Sequence, residues 1–260
     1  MTAPILVTGG TGTLGSLLVP RLREAGREVR VLTRHARPAS DGTEYVACDL
    51  LQGDGLDEAV AGAETVVHLA GGPKGDEIAT RNLAEAAKRA GARHLVYVSV
   101  TGVEGVPIAW LRSKLASEQA VADSGVPWTT LRPAQFHSLV LGIAQKMAKS
   151  PVVPAPGALR FQPVDERDVA DRLAELALGA PAGLVPDLAG PTDYTLPELL
   201  RSYLAAAGKR RPMLPVPMAG KIGRAYREGL NLAREGAARG TRTWESYLAD
   251  HVAARTPAKA

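Results

Sequence analysis

The sequence predicts an α/β architecture, a doubly wound parallel sheet followed by a small C-terminal lobe. Three observations predict it. Short apolar runs alternate with helix-like stretches over the first half of the chain, a glycine-rich turn joins the first run to the first helix, and after residue 133 the rhythm gives way to proline clusters. Strand–helix alternation of this kind places helices on both faces of a parallel sheet.

The strand candidates are "PILVT" (4–8), "EVRVLT" (28–33), "EYVAC" (44–48), "TVVHLA" (65–70), "HLVYVSV" (94–100) and "WTTLRP" (128–133). Each is short and nearly continuous in apolar character, as strands covered on both faces are. Helices are expected between them at 13–25, 54–61, 76–90 and 109–124. The stretch "RNLAEAAKRAG" (81–91) ends on basic residues and a glycine, a good helix stop. Beyond residue 133 prolines cluster in "SPVVPAPG" (150–157) and "RRPMLPVPM" (210–218). Further helices are expected at 165–178 and 197–207, with a closing helix in "TRTWESYLADHV" anchored by Trp244, Tyr247 and Leu248. The expected division is a nucleotide-binding core over 1–150 and a lobe over 151–260 packed on it as one body.

The first turn carries the clearest chemistry. After Thr8 come Gly9, Gly10, Gly12 and Gly15, then the helical "SLLVPRLREAG". The glycines satisfy both G-x-x-G-x-x-G and G-x-G-x-x-G. Glycine permits a tight turn and lets a pyrophosphate approach bare backbone, while Gly15 allows close packing of the helix. The helix N-terminus adds N–H groups and partial positive charge. With a strand before it and a helix after it, this is the Rossmann dinucleotide-binding context. The second strand ends in Thr33 and Arg34, with Arg37 nearby and no carboxylate to hold a ribose 2′-OH. A guanidinium suits a 2′-phosphate, so NADP(H) is expected over NAD(H).

Composition narrows the classes. Hydrophobic residues at 45% and charged residues at 22% suit a globular protein, and the net charge of +4 is spread rather than clustered, so nucleic-acid binding is not expected. The exception, "GKRRP" (208–212), reads as a solvated loop. No apolar run is long enough to span a membrane. Cys48 is the single cysteine, and the start of the chain lacks a basic leader, so a reducing, cytoplasmic setting is expected. Cys48 reads as a small buried apolar residue. No Cys/His spacing suggests a metal site.

The motifs "VTGGTGTLG", "LTR", "CDL", "VVHLAG", "YVSVTG", "SKLASEQAVADSGVPWTTLRP" and "FQPVDERDVAD" occur in an order that resembles the atypical short-chain dehydrogenase/reductase superfamily, in its NmrA-like NAD(P)H-binding branch. The resemblance covers residues 4–178. It implies that the turn from Gly9 to Gly15, with Thr11, Thr13 and Leu14, cradles the phosphates. It implies that Asp49 and Leu50 contact the adenine, that Ala70 and Gly71 line the ribose–phosphate path, and that Ser99, Val100 and Thr101 face the nicotinamide. Lys114 is then expected on the nicotinamide ribose, and Arg132, Pro133 and Ala134 close over the ring. The C-terminal part becomes a substrate lobe.

One position breaks the pattern. The superfamily's usual proton donor is a tyrosine four residues before the lysine, on the same helical face. Here that position is Trp110, and no tyrosine lies between Tyr97 and Tyr194. An indole donates a hydrogen bond but is no acid or base near neutral pH. Ordinary alcohol–ketone chemistry is therefore not expected, whereas hydride transfer to a quinone-like or conjugated carbonyl acceptor remains open, since water can protonate the product. Trp110, Gln135, Phe136, His137 and Phe161 are the pocket candidates. Lys114, Ser99 and His137 are the catalytic candidates, with core packing the alternative for His137, Phe136 and Phe161. Asp165 reads as a helix N-cap and Asp168 as a first-turn acid. Two other readings stay open: a non-catalytic NADP(H) redox sensor or regulatory protein, and a biosynthetic reductase or isomerase using His137 or Ser99 as its acid. A small-molecule substrate is expected, and the chain as a monomer or a homodimer.

Overall fold

The structure, a computed structural model, describes residues 3–35, 37–40, 42–72, 74–157 and 159–252. In chain order its elements begin β1 (Ile5–Thr8), α1 (Gly15–Glu24), β2 (Val29–Thr33), β3 (Thr43–Ala47), α2 (Leu56–Val60), β4 (Thr65–His68), α3 (Asp76–Arg89), β5 (His94–Val98), α4 (Ala109–Ala122) and β6 (Trp128–Leu131). They continue with α5 (His137–Met147), β7 (Val153–Pro156), β8 (Arg160–Phe161), α6 (Glu166–Leu178), β9 (Gly183–Leu184), β10 (Leu188–Ala189), β11 (Tyr194–Thr195), α7 (Leu196–Ala206), β12 (Met213–Val216), α8 (Gly220–Arg227), β13 (Ala238–Arg239) and α9 (Trp244–His251). Two units share the chain: Met1–Ser99, Ala109–Arg132 and Val169–Val185 form the first, and Val100–Ile108, Pro133–Asp168 and Pro186–Ala260 the second.

The first unit holds the parallel sheet, in the order β3-β2-β1-β4-β5-β6-β9. Its central strands are apolar because both faces are covered: all four residues of β1 and all five of β5 are buried. Strand order reverses between β1 and β4, which pair in register from Ile5↔Thr65 to Thr8↔His68. In such sheets a ligand crevice forms at that reversal, beyond the C-terminal ends of the strands. α3 buries Thr80, Leu83, Ala84, Ala86 and Ala87, carries acids in its first turn and bases in its last, and is followed by Gly91 at φ +72°. α4 buries Leu111, Lys114, Ser117 and Val121, so its lysine belongs to the inward-facing stripe.

The second unit has its own apolar cluster, drawn from α5, β7, α7 and α9, with Trp244 fully buried in it. Three small pairings, β7 with β12, β8 with β11 and β10 with β13, complete its regular structure among the described residues. α7 starts on a capping box formed by Thr195 and Glu198. Trp244, Tyr247 and Leu248 anchor α9 as expected. The six expected strands and seven expected helices are present with ends moved by at most three residues. The pairings of the second unit and the edge strand β9 were not anticipated: most of these strands are two residues long with no periodicity to read, and the four-residue β7 and β12 are interrupted by prolines.

Candidate functional site

The glycine turn is shaped by close approaches. Gly9 has φ +68°, and a Cβ there would lie 2.8 Å from the Ala70 nitrogen. One on Gly10 would lie 2.7 Å from Val31 Cγ1, against β2. Gly12 N–H donates to the Gly9 carbonyl at 3.0 Å, and Ser16 N–H to the Gly12 carbonyl at 2.9 Å. A Cβ on Gly15 would stand 2.3 Å from the Gly9 oxygen and 2.4 Å from Gly10 Cα. Gly15 therefore lets the helix pack closely against the turn, as a larger residue could not.

Beside this turn lies a cleft of about 580 Å³. Gly9, Thr11 and Gly12 form one wall, Thr33 and Arg34 the end of β2, Asp49 and Leu50 the segment after β3, and Ala70, Gly71, Gly72 and Asp76 the segment after β4. The structure thus gathers eight of the expected cofactor residues in one place: Gly9, Thr11, Gly12, Arg34, Asp49, Leu50, Ala70 and Gly71. Gly10, Leu14 and Gly15 lie buried behind the turn, and Thr13 is exposed. Ser99 is buried with its hydroxyl unpartnered. Cys48 also lines the cleft, and its thiol is pushed up first by burial and then by Asp49 and Asp54. It stays protonated, as a small apolar residue does.

Behind the cleft runs a polar network that the sequence did not announce. Ala70 N–H donates to Thr8 Oγ1 at 3.2 Å, and Thr8 Oγ1 lies 2.7 Å from His68 Nδ1. On the other side, His68 Nε2 lies 3.0 Å from Thr80 Oγ1, whose proton goes to the Asp76 carbonyl at 2.7 Å. With the Thr80 proton committed, Nε2 must donate, and in the neutral ring Nδ1 then accepts from Thr8. Burial, and then Lys114, push its pKa down to about 3.

Lys114 is only 6% exposed. Its ammonium lies 3.3 Å from Asp76 Oδ2 and 3.3 Å from the Tyr97 hydroxyl. The Asp76 carboxylate also accepts Gly72 N–H through Oδ1 at 2.5 Å. A Cβ on Gly71 would come within 3.2 Å of Lys114 Nζ and 3.3 Å of Asp76 Oδ2. Tyr97 is fully buried and stacks on His68 with centroids 5.5 Å apart. Trp110, in the first turn of α4, is exposed. Asp76 and Tyr97 are the residues sequence reasoning missed. An acid at a helix start reads as a complement to the helix dipole, and a tyrosine within an apolar run reads as strand core.

The other candidates lie in the second unit. His137 is fully buried, its Nε2 lies 3.1 Å from the Pro163 carbonyl, and its ring meets those of Tyr247 and Trp244 at 5.1 and 5.7 Å. Burial lowers its pKa against the pull of Asp165 and Glu166. Those are the surroundings of a core histidine. Phe161 packs on Tyr226 at 5.6 Å, and Phe136 precedes α5 as its N-cap residue. Gln135 donates to the Asn231 carbonyl at 3.4 Å, and Pro133 bridges to Leu188. Asp165 caps α6 by accepting Arg167 N–H at 2.8 Å, as expected. Asp168 does more than sit in a first turn: its carboxylate accepts the backbone N–H groups of Thr241 and Arg242 at 3.0 and 3.1 Å.

The sequence profile of the NAD(P)H-binding family matches residues 9–177, which span the turn, the cleft and α4. The chain belongs to this family, within the atypical short-chain dehydrogenase/reductase group of NAD(P)-binding oxidoreductases. A (4-alkanoyl-5-oxo-2,5-dihydrofuran-3-yl)methyl phosphate reductase of Streptomyces griseus is 36% identical over 203 residues, 75% of this chain and 70% of that protein. An NAD(P)H azoreductase of Xenophilus azovorans is 32% identical over 219 residues, 79% of this chain and 74% of that one. The chain also matches three mycobacterial proteins at 32% identity, spanning 24% of their length. Among solved structures, the NADPH complex of an Escherichia coli quinone oxidoreductase superposes with a TM-score of 0.81 at 20% identity, over 95% of this chain and 99% of that one, and so shares the family fold. Among the described residues no cluster of metal-ligating side chains occurs, and no helix is long and apolar enough to cross a membrane.

Proposed function

We propose that this family member is an NADPH-dependent reductase acting on a quinone-like or other conjugated carbonyl acceptor. The observation that carries the reading is a dinucleotide-shaped cleft combined with Trp110 in place of a phenol one turn before Lys114. The cleft fits the cofactor on its own geometry. Gly9 and Gly71 leave backbone bare where a Cβ would collide or fill the space, and the buried Asp76 Oδ2 makes no hydrogen bond. Bound in the cleft, NADPH supplies a two-electron hydride donor.

The remaining roles belong to the chain. The glycine turn and the start of α1 hold the diphosphate with backbone N–H groups. Arg34 lines the cleft at the end of β2, where Thr33 stands instead of a carboxylate, and grips the 2′-phosphate. Lys114 is held in place by Asp76 and Tyr97 and does not pass its proton on. Trp110 offers an indole N–H but no transferable proton, so the acceptor must be one whose reduced anion takes its proton from water. Quinones and conjugated carbonyls are such acceptors. Two relatives support that class: one is named for a substrate whose ring double bond carries two carbonyls on one carbon, the other is named a quinone oxidoreductase.

The test is to mix purified protein with NADPH and a panel of quinones and unsaturated ketones, following NADPH oxidation while calorimetry reports binding. Turnover with one acceptor class supports the reading. Tight NADPH binding with no turnover on any acceptor overturns it and leaves the redox-sensor alternative standing.

A further inference from the structure

We propose that the outer face of the β7–β12 pair, with the basic groove at its head, docks the protein onto an anionic lipid surface. Positive charge is concentrated there. From Gly208 to Arg227 the chain carries six lysines and arginines and no acid, against a net charge of +4 for the whole chain. A groove of about 460 Å³ opens this segment, lined by Arg201 of α7 and by Lys209, Arg210, Arg211 and Pro212. Elsewhere in the second unit arginines meet acids: Arg160 and Arg239 pair with Asp193, Arg167 with Asp165, and Arg234 with Asp187. Among the described residues Arg210 and Arg211 have no such partner, and Lys209 rests its ammonium 6.0 Å from the centre of the Tyr203 ring. Glu198 lies one turn before Arg201, and its carboxylate accepts Thr195 N–H at 2.7 Å in the α7 cap.

Apolar side chains continue the groove. β7 and β12 run parallel with Met213 beside Val153 and Leu214 beside Pro154, and neither pairs with another strand. Val153 and Ala155 are buried, so the pleat turns Val152, Pro154 and Leu214 outward. Val152 is 43% exposed and Leu214 55%. Cations beside exposed apolar side chains suit a lipid interface, where the apolar groups enter the headgroup boundary and the cations meet phosphates. Each other occupant fails on one feature. A small phosphate ligand answers the cations and leaves the apolar face in water. A second copy docked by the same face sets like charge against like charge. A partner strand needs N–H groups on a free edge, and β7 withholds them. Val153 N–H goes to the Pro212 carbonyl at 2.9 Å inside the pair, so the outward places fall to Pro154 and Pro156, which have no N–H.

The experiment mixes the full chain with vesicles of phosphatidylcholine alone, or of equal parts phosphatidylcholine and phosphatidylglycerol, and follows co-sedimentation at low and high salt. Binding is expected to the anionic vesicles and to weaken as salt rises. Lys209→Gln, Arg210→Gln and Arg211→Gln combined should weaken it about a hundredfold, at about fivefold per cation near the surface. Val152→Ser with Leu214→Ser should weaken it about tenfold at unchanged charge. All five side chains are exposed, so both variants should unfold at the parent's temperature and bind NADPH as the parent does. A parent that ignores anionic vesicles at low salt overturns the proposal, as do equal binding to both vesicle types and parent-like binding by either variant. Saturable calorimetric binding of glycerol phosphate by a parent that does not sediment with vesicles gives the groove to a small anion and overturns it too. None of these outcomes bears on the cofactor reading, which the NADPH titration tests separately.

Discussion

The ammonium of Lys114 lies 3.3 Å from the phenol oxygen of Tyr97, a tyrosine on β5 and not on α4. The lysine of the expected pair therefore has a tyrosine partner, reached across the sheet instead of along the helix. It is a structural partner. Tyr97 is fully buried, and burial raises its phenol against the lowering pull of Lys114. Tyr97→Phe should leave turnover within about threefold of the parent and cost about 1 kcal/mol, the net value of one buried hydrogen bond. Lys114→Ala should cost far more, about 3–5 kcal/mol, because it strands the Asp76 carboxylate without its cation. Urea unfolding of the two variants separates these outcomes. A large loss of turnover in Tyr97→Phe with stability kept would make the phenol a participant in the chemistry.

That pair also marks where sequence reasoning stopped. Lys114 was legible from the run "SKLASEQAVADSGVPWTTLRP" that carries the family resemblance, and counting back four residues from it reaches Trp110. The sheet was legible because strands covered on both faces read as unbroken apolar runs. Asp76 and Tyr97 carried no local signal, since topology alone brings the start of α3 and the middle of β5 to one lysine. His137 offered the opposite difficulty. Its neighbours in sequence suggested a site, and only the return of Trp244 and Tyr247 from the far end of the chain encloses it. The second unit's two-residue strands exist by pairing, which no short window contains.

The neutral His68 makes stability depend on pH in a stated direction. Its folded pKa is about 3, against 6.5 for the free side chain. Between those values the unfolded chain binds a proton that the folded chain refuses, so stability falls as pH drops from 6.5 toward 3 and is fully present above 6.5. His94 and His137 are lowered as well and act in the same sense. The share of His68 is on the order of a few kcal/mol across that window. Urea midpoints at neutral pH and near pH 4.5 should differ strongly in the parent and less in His68→Gln. An equal drop in both proteins would mean that the histidine is not the titrating group.

Two glycines of the same turn should fail differently. At Gly15 a methyl group meets the Gly9 oxygen and Gly10 Cα at 2.3 and 2.4 Å, backbone atoms that cannot swing aside. Gly15→Ala should therefore cost about 3 kcal/mol through overpacking and abolish NADPH binding with it. At Gly12 the nearest atom is the Gly9 oxygen at 3.3 Å, and the residue lines the cleft. Gly12→Ala should keep the fold within about 1 kcal/mol and still weaken NADPH, since the methyl group occupies the phosphate path. Thermal unfolding and calorimetric titration of both variants decide the matter. Loss of stability at Gly12 equal to that at Gly15 would contradict the packing argument.

Cofactor choice should turn on Arg34. It is exposed at the end of β2 and lines the cleft, and Thr33 beside it donates its hydroxyl to the His35 carbonyl, so neither residue offers a carboxylate to a ribose 2′-OH. A charge-assisted contact of guanidinium with phosphate contributes about 1.5–3 kcal/mol, which converts to an affinity factor of about 10–100. Arg34→Ala should weaken NADPH by that factor and leave NADH within about threefold. The NADPH deficit should shrink as salt rises, because an exposed ion contact is screened. Arg34→Asp should go further and favour NADH, since a carboxylate repels the 2′-phosphate and accepts from a free 2′-OH. Fluorescence titrations of both cofactors at low and high salt measure each effect, and equal weakening of NADPH and NADH in Arg34→Ala would show that Arg34 does not read the phosphate.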